Sequence, residues 1–167
     1  DFFEPQATVH GIVTRAHYCD DLPPIPLDVD LVKQALLNLL LNAQQAMSEG
    51  GEMILTTRKE GDFVVLDVVD TGTGIAPEAQ PKVFEAFYSS RPGGSGLGLP
   101  TARKIVESHG GFLRLQSVPG KGSKFSIWLP LPSPAATSAR VEADELLGPV
   151  VVVASAGSPP GPPPPRE

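Results

Sequence analysis

The stretch Asp70-Thr-Gly-Thr-Gly-Ile75 sets an acid and two glycines directly after the apolar run Phe63–Val69. Glycines one residue apart let a backbone turn sharply and approach a ligand with no Cβ in the way. An acid just before them ends the strand and points into whatever the turn cradles. A carboxylate only accepts hydrogen bonds, so it suits the amino donor of adenine and would not suit the carbonyl of guanine. The bland alternative for Asp70 is a cap or turn former. A second cluster, Gly94-Ser-Gly-Leu-Gly-Leu99, opens a helix, and the outward amides of a helix N-terminus are an anion site. Arg91, just ahead of it, either adds charge at a terminal phosphate or is a solvated loop arginine, with equal weight on each. Upstream, Asn38 and Asn42 stand four residues apart and share one helical face. They either satisfy local backbone groups or offer a carboxamide oxygen to a hard cation such as Mg²⁺, which takes oxygen ligands and brings substrate phosphates with it. Together the two loops and the asparagine helix read as one nucleotide pocket.

Other chemistries fit poorly. Gly72-Thr-Gly-Ile-Ala-Pro77 lacks the third glycine of a dinucleotide turn, and Pro77 stands where a long helix should continue. Pro119-Gly-Lys-Gly-Ser123 lacks the Walker spacing and reads as a hairpin turn. None of the three histidines has a partner pattern for catalysis, and His109 is a helix-terminal residue. The single cysteine, Cys19, excludes an internal disulfide, and no Cys/His spacing resembles a zinc site.

The elements that position these residues follow from periodicity. Val9–Cys19 reads as extended and Leu22–Leu27 as a proline-stiffened connector. Asp28 is an N-cap for a helix with Val32, Leu36, Leu39, Leu40, Ala43 and Met47 on its apolar face, widened by Leu37 and Leu41. Ser48–Gly51 stops it. Glu52–Arg58 and Asp62–Asp70 read as a hairpin, and Gln80–Tyr88 as a short helix anchoring a polar, glycine-rich loop. Leu97–His109 is a second amphipathic helix, with Leu99, Ala102, Ile105 and Val106 inward. Phe112–Val118 and Gly122–Leu131 form another hairpin. This order predicts an α+β, two-layer sandwich: a mixed, mostly antiparallel sheet with helices on one face.

The 167 residues suffice for one domain with a core plus a tail. A net charge of −6 argues against general nucleic-acid binding. No apolar run approaches the roughly 20 residues of a membrane span, and no signal-peptide plan stands at the start. The expected divisions are 1–8 as linker remnant, 9–131 as the domain, and 132–167 as a Pro/Ala/Ser-rich disordered tail, with a helix-capable stretch at Arg140–Leu147 and a strand fragment at Val150–Ala154. The chain opens at Asp1 and reads as a fragment of a longer protein, whose attachment to a membrane stays open.

These boxes resemble the ATP-binding catalytic domain of bacterial sensor histidine kinases, in the superfamily of gyrase, chaperone, kinase and mismatch-repair ATPases. Asp28–Met47 resembles the N box and Val69–Ile75 the first glycine box. Val83–Tyr88 resembles the phenylalanine box and Gly94–Leu99 the second glycine box, with Asn-Ala-Gln-Gln-Ala-Met worded like nitrogen-regulation kinases. The resemblance runs from about Val9 to Leu131 and implies the Bergerat ATP-binding fold. It implies that Asn42 binds the Mg²⁺ bridging the ATP phosphates, with Asn38 beside it as the second catalytic residue. Asp70 would hold the adenine amine, and Gly72, Gly74 and Ile75 would shape the base pocket. Gly94, Ser95, Gly96, Leu97, Gly98 and Leu99 would form the phosphate loop, with Arg91 ahead of it and Ser123 near the adenine. Hydrolytic members carry glutamate at the position of Asn38; asparagine cannot act as a general base, which favours phosphoryl transfer to a supplied acceptor.

The implied activity is transfer of the ATP γ-phosphoryl to a histidine on a dimerisation hairpin, which this sequence lacks, as it lacks the family's usual first strand and helix. A response-regulator receiver domain is the implied downstream partner, the site cytoplasmic, and the fragment itself monomeric. The rival readings are a degenerate nucleotide-binding regulatory module, an anti-sigma-type serine kinase of the same superfamily and, less favoured given Asn38, a hydrolytic ATPase.

Overall fold

The computed structural model describes residues 11–89 and 94–132. Arg91, the linker 1–8, His10 and the readings at Arg140–Leu147 and Val150–Ala154 lie outside the described residues. The elements run β1 (Ile12–His17), α1 (Val29–Ala46), β2 (Gly51–Glu60), β3 (Phe63–Asp70), α2 (Gly98–Ser108), β4 (Phe112–Val118) and β5 (Gly122–Pro130). One sheet holds all five strands in the order β1-β2-β3-β5-β4. β1 pairs with β2 in parallel, since α1 carries the chain back between them; the other pairs are antiparallel. This is the expected α+β sandwich.

α1 starts where its cap dictates. The Asp28 carboxylate accepts from the amides of Asp30 and Leu31, both at 3.0 Å, a cap whose loss costs about 1 kcal/mol. Its buried stripe is Ala35, Leu39, Leu40, Ala43 and Ala46, so three alanines join the two leucines. α2 contributes Ala102, Ile105 and Val106 to the same core. The sheet answers with alternate residues: Val68 of β3 stands opposite Phe125 of β5, and Leu66 opposite Ile127. All of these but the half-buried Leu66 are buried among α1 and α2. Two positions further along, the same register sets Asp70 opposite Ser123. The strands that fill the core thus deliver two site residues side by side.

Among the described residues no helix lies over the other sheet face, and its own side chains cover it. Phe63, Phe112 and Trp128 cluster with ring centroids 5.4–5.8 Å apart, and the Arg114 guanidinium lies 4.6 Å from the Trp128 centroid. Buried Asp67 is paired with Arg58 and accepts from the hydroxyls of Thr56 and Ser126.

One expected element does not form. Gln80–Tyr88 is a chain of turns rather than a helix. Its bonds are mostly of the three-residue kind, Lys82 to Ala79, Glu85 to Lys82 and Tyr88 to Glu85, and Phe87 at φ 68° turns the chain out of a helical path. The bonds from Ala79 and Gln80 to the Ala76 carbonyl, and from Lys82 and Val83 to that of Ala79, close two successive turns, the second of them around Pro81. The second helix begins at Gly98, with Leu97 as its cap residue.

Candidate functional site

α1, the loop after β3, β5 and the start of α2 enclose a cleft of about 570 Å³. Of the residues singled out from the sequence, Asn38, Asn42, Gly74, Ile75, Gly94, Ser95, Gly96, Gly98, Leu99 and Ser123 line it. Four segments distant in sequence therefore meet in one cavity. Asp70, Gly72 and Leu97 stand apart from that lining: Leu97 is partly exposed, and Asp70 is 2% exposed behind the wall. The Asp70 Oδ1 accepts from the amides of Gly72 (2.9 Å) and Ser123 (3.3 Å), which ties the loop to β5 directly behind the cleft.

The loop after β3 is held from several sides. Ile75 donates its amide to Ser117 Oγ at 2.8 Å, while its carbonyl accepts from Gln80 Nε2 at 3.0 Å. Thr73 donates to the Ala46 carbonyl of α1, and its own carbonyl accepts from the Gly120 amide at 2.7 Å. Gly74 has φ +67°, and a Cβ there would lie 2.2 Å from the Val118 carbonyl oxygen. Only glycine fits.

The opposite wall is built differently. Gly96 has φ +63°, and a Cβ on it would meet the Phe87 carbonyl carbon at 2.5 Å. That close approach lets the Phe87 amide donate to the Gly96 carbonyl at 3.0 Å. Phe87 itself sits at φ 68°, unusual for a bulky residue, with its ring 79% exposed. Gly98 then opens α2 across from α1, where a Cβ on it would stand 3.9 Å from the Asn38 carboxamide. The first amides of an 11-residue helix therefore face the asparagine stripe.

Sequence reasoning missed Gln45, Thr73, Tyr88 and Ser89, which also line the cleft. Gln45 had a usable signal, three residues beyond Asn42 on the same helical face. Tyr88 and Ser89 had none, because turns rather than a periodic element carry them. Among the described residues lining the cleft, none is Asp, Glu, His, Lys or Arg.

A family model described as histidine kinase-, DNA gyrase B-, and HSP90-like ATPase matches residues 27–133. The chain belongs to this ATPase family. Among curated relatives, the sensor histidine kinase ZraS of Escherichia coli O157:H7 is 41% identical over 112 residues, covering 67% of this chain and 24% of ZraS. The alginate biosynthesis sensor protein KinB of Pseudomonas aeruginosa is 36% identical over 131 residues, covering 77% of this chain and 22% of KinB. The chain thus spans about a quarter of the length of these relatives. Among solved structures, the catalytic domain of the histidine kinase ThkA matches with TM-score 0.70 and 29% identity, over 77% of this chain and 85% of that one. Full-length ShkA in complex with AMPPNP matches with TM-score 0.70 and 33% identity, over 77% of this chain and 27% of ShkA.

In this ATPase chain the donor set can be tested against a metal. Among the described residues, no group of three or more His, Cys, Asp or Glu could hold an ion, so an all-protein metal cage is not built. Neutral carboxamide oxygens on Asn38 and Asn42 are hard donors too few to hold a cation alone. That suits Mg²⁺, which arrives with phosphates and keeps much of its own coordination shell. The residues fit the group.

Proposed function

We propose that this chain is the ATP- and Mg²⁺-binding catalytic domain of a two-component sensor histidine kinase, passing the γ-phosphoryl to a histidine on a separate dimerisation hairpin. The observation that carries this reading is a cleft with two carboxamides facing a glycine-lined helix start and no acid or imidazole among its described lining residues. Such a site can grip and orient a triphosphate, and its described lining offers no side chain to activate water, which favours an acceptor that brings its own nucleophile. Asp70 takes the adenine amino group, with Ser123 and Ile75 against the base. Asn42, with Asn38 beside it, would hold Mg²⁺, which neutralises charge on the phosphate oxygens when bound. The α2 amides, Gly94–Gly98 and Arg91 hold the phosphates.

We assign the domain to 9–131, flanked by a linker remnant at 1–8 and a Pro/Ala/Ser-rich segment at 132–167 that lies almost wholly outside the described residues. The site works in the cytoplasm and hands its phosphoryl, through the acceptor histidine, to a receiver domain; the domain on its own is monomeric. Incubation of the chain with a kinase phosphoacceptor hairpin and γ-labelled ATP should give acid-labile, alkali-stable label on the hairpin. Acid-stable label on serine, or release of inorganic phosphate alone, would overturn the assignment.

A further inference from the structure

We infer that the helix-free face of the sheet is a docking surface for an acidic, partly apolar segment of a partner protein, with Arg114 as the anchor that takes a partner carboxylate.

Side chains alternate along a strand, so Phe112, Arg114, Gln116 and Val118 of β4 share this face with Lys124 and Trp128 of β5. Charge is divided unevenly across it. The strand acids of the face, Glu52, Glu60 and Asp67, stand on β2 and β3, and each is paired with Arg15 or Arg58. β4 and β5 hold no acid at all and bring only cations to this face, Arg114 and Lys124. Among the described residues neither has a carboxylate or hydrogen-bond partner. A chain of net charge −6 therefore carries a local positive strip on its sheet.

Arg114 is prepared for an acceptor. Its guanidinium lies 4.6 Å from the Trp128 ring centroid and 5.1 Å from that of Phe112. A guanidinium held by its face keeps its N–H edge for hydrogen bonds, and that fork matches a carboxylate with two bonds at once. Much of the freedom of a long side chain is thus lost before a partner arrives. The same cluster holds another unused donor, since Trp128 Nε1 is buried with no acceptor among the described residues. Half-buried Phe112 stands at one end of β4 and Val118, 52% exposed, at the other. They lie about 20 Å apart at the usual strand rise. A segment with acids at its middle and apolar residues at its ends fits that strip. Nucleic acid fits less well. A base stacks on an open ring face, and Trp128 is only 8% exposed.

The test selects phage-displayed random peptides of about twelve residues, which span the strip even as a helix, on the full chain. Docking is read from the fluorescence of Trp128, the chain's one tryptophan. Peptides that perturb this signal should be rich in Asp and Glu and should weaken as salt rises. Against Arg114→Gln they should lose about 10- to 100-fold in affinity, the range of a hydrogen bond to a charged group. Arg114→Lys, which keeps the charge without the fork, should recover part of that loss. Circular dichroism checks that both variants fold. Peptides without acids, indifference to Arg114→Gln, a selection in which no peptide reaches Trp128, or tighter binding there of an oligouridylate would each overturn the inference.

Discussion

The two walls of the cleft use the same device, a left-handed glycine in a tight approach, and set it in opposite surroundings. At Gly74 the loop is bonded to α1 through Ala46, to β4 through Ser117, to the β4–β5 turn through Gly120, and to β5 through Asp70. At Gly96 the described bonds are local: the Phe87 amide to the Gly96 carbonyl, and the Leu97 amide to Ser95 Oγ at 3.4 Å. One wall is bonded into the folded core, and the described bonds of the other stay within its own turns. Recognition that needs fixed geometry, such as reading a base edge, belongs on the first wall. Contacts that form along with the ligand belong on the second.

The largest effect should come from the anchored glycine. Gly74→Ala combines a left-handed alanine with overpacking against Val118, and should lower stability by about 3 kcal/mol in urea unfolding. An unchanged midpoint would mean that this wall is not coupled to the core. Next, Asp70→Asn keeps an oxygen to accept the Gly72 and Ser123 amides, so the fold should persist. It loses the charge proposed to meet the adenine amine, and ATP affinity should drop about 10- to 100-fold, measured by calorimetry. Retention of full affinity would remove Asp70 from base recognition. Ser117→Ala deletes the acceptor for the Ile75 amide and should destabilise by about 1 kcal/mol, with a matching loss of nucleotide affinity. Smallest in global stability is Gly96→Ala. Its strain is intrinsically like that at Gly74, yet the local clip can open alone, so the unfolding midpoint should move by less than about 1 kcal/mol. Hydrogen exchange should nevertheless speed up around Phe87, and ATP should lose affinity where adenosine does not. Equal global costs at Gly74 and Gly96 would erase the distinction between the walls.

Much of this was legible in advance because the signals are local. Asp28 as a cap, the leucine stripe of α1 and the paired hairpins depend on near neighbours in sequence. So does the placing of Asn38 and Asn42 on one face. What escaped the sequence depends on residues that meet only in three dimensions. Ser117 pins Ile75 from 42 positions away, and Asp70 is engaged by an amide 53 positions away. No periodicity announces either pairing. Gln80–Tyr88 misled because its apolar spacing mimics a helix, while the left-handed Phe87 and its bond to Gly96, nine positions on, lead the chain out of one. Gln45 was legible and passed over, since a helix face that includes Asn38 and Asn42 must include it as well.

His109 ends α2 and also touches the other helix. The Asp28 amide, at the start of α1, donates to its Nε2 at 3.0 Å, and its Nδ1 lies 2.7 Å from the Ile105 carbonyl oxygen. An accepting Nε2 leaves the ring proton on Nδ1, so the neutral imidazole bolts one helix's beginning to the other's finish. About ten residues away along each helix, some 15 Å at 1.5 Å per residue, Asn38 faces Gly98. The antiparallel pair is therefore joined at the end remote from the cleft, and the distance from that joint helps set the gap between the asparagines and the anion-binding amides. Loosening the remote joint would reset that spacing without touching a single residue of the cavity.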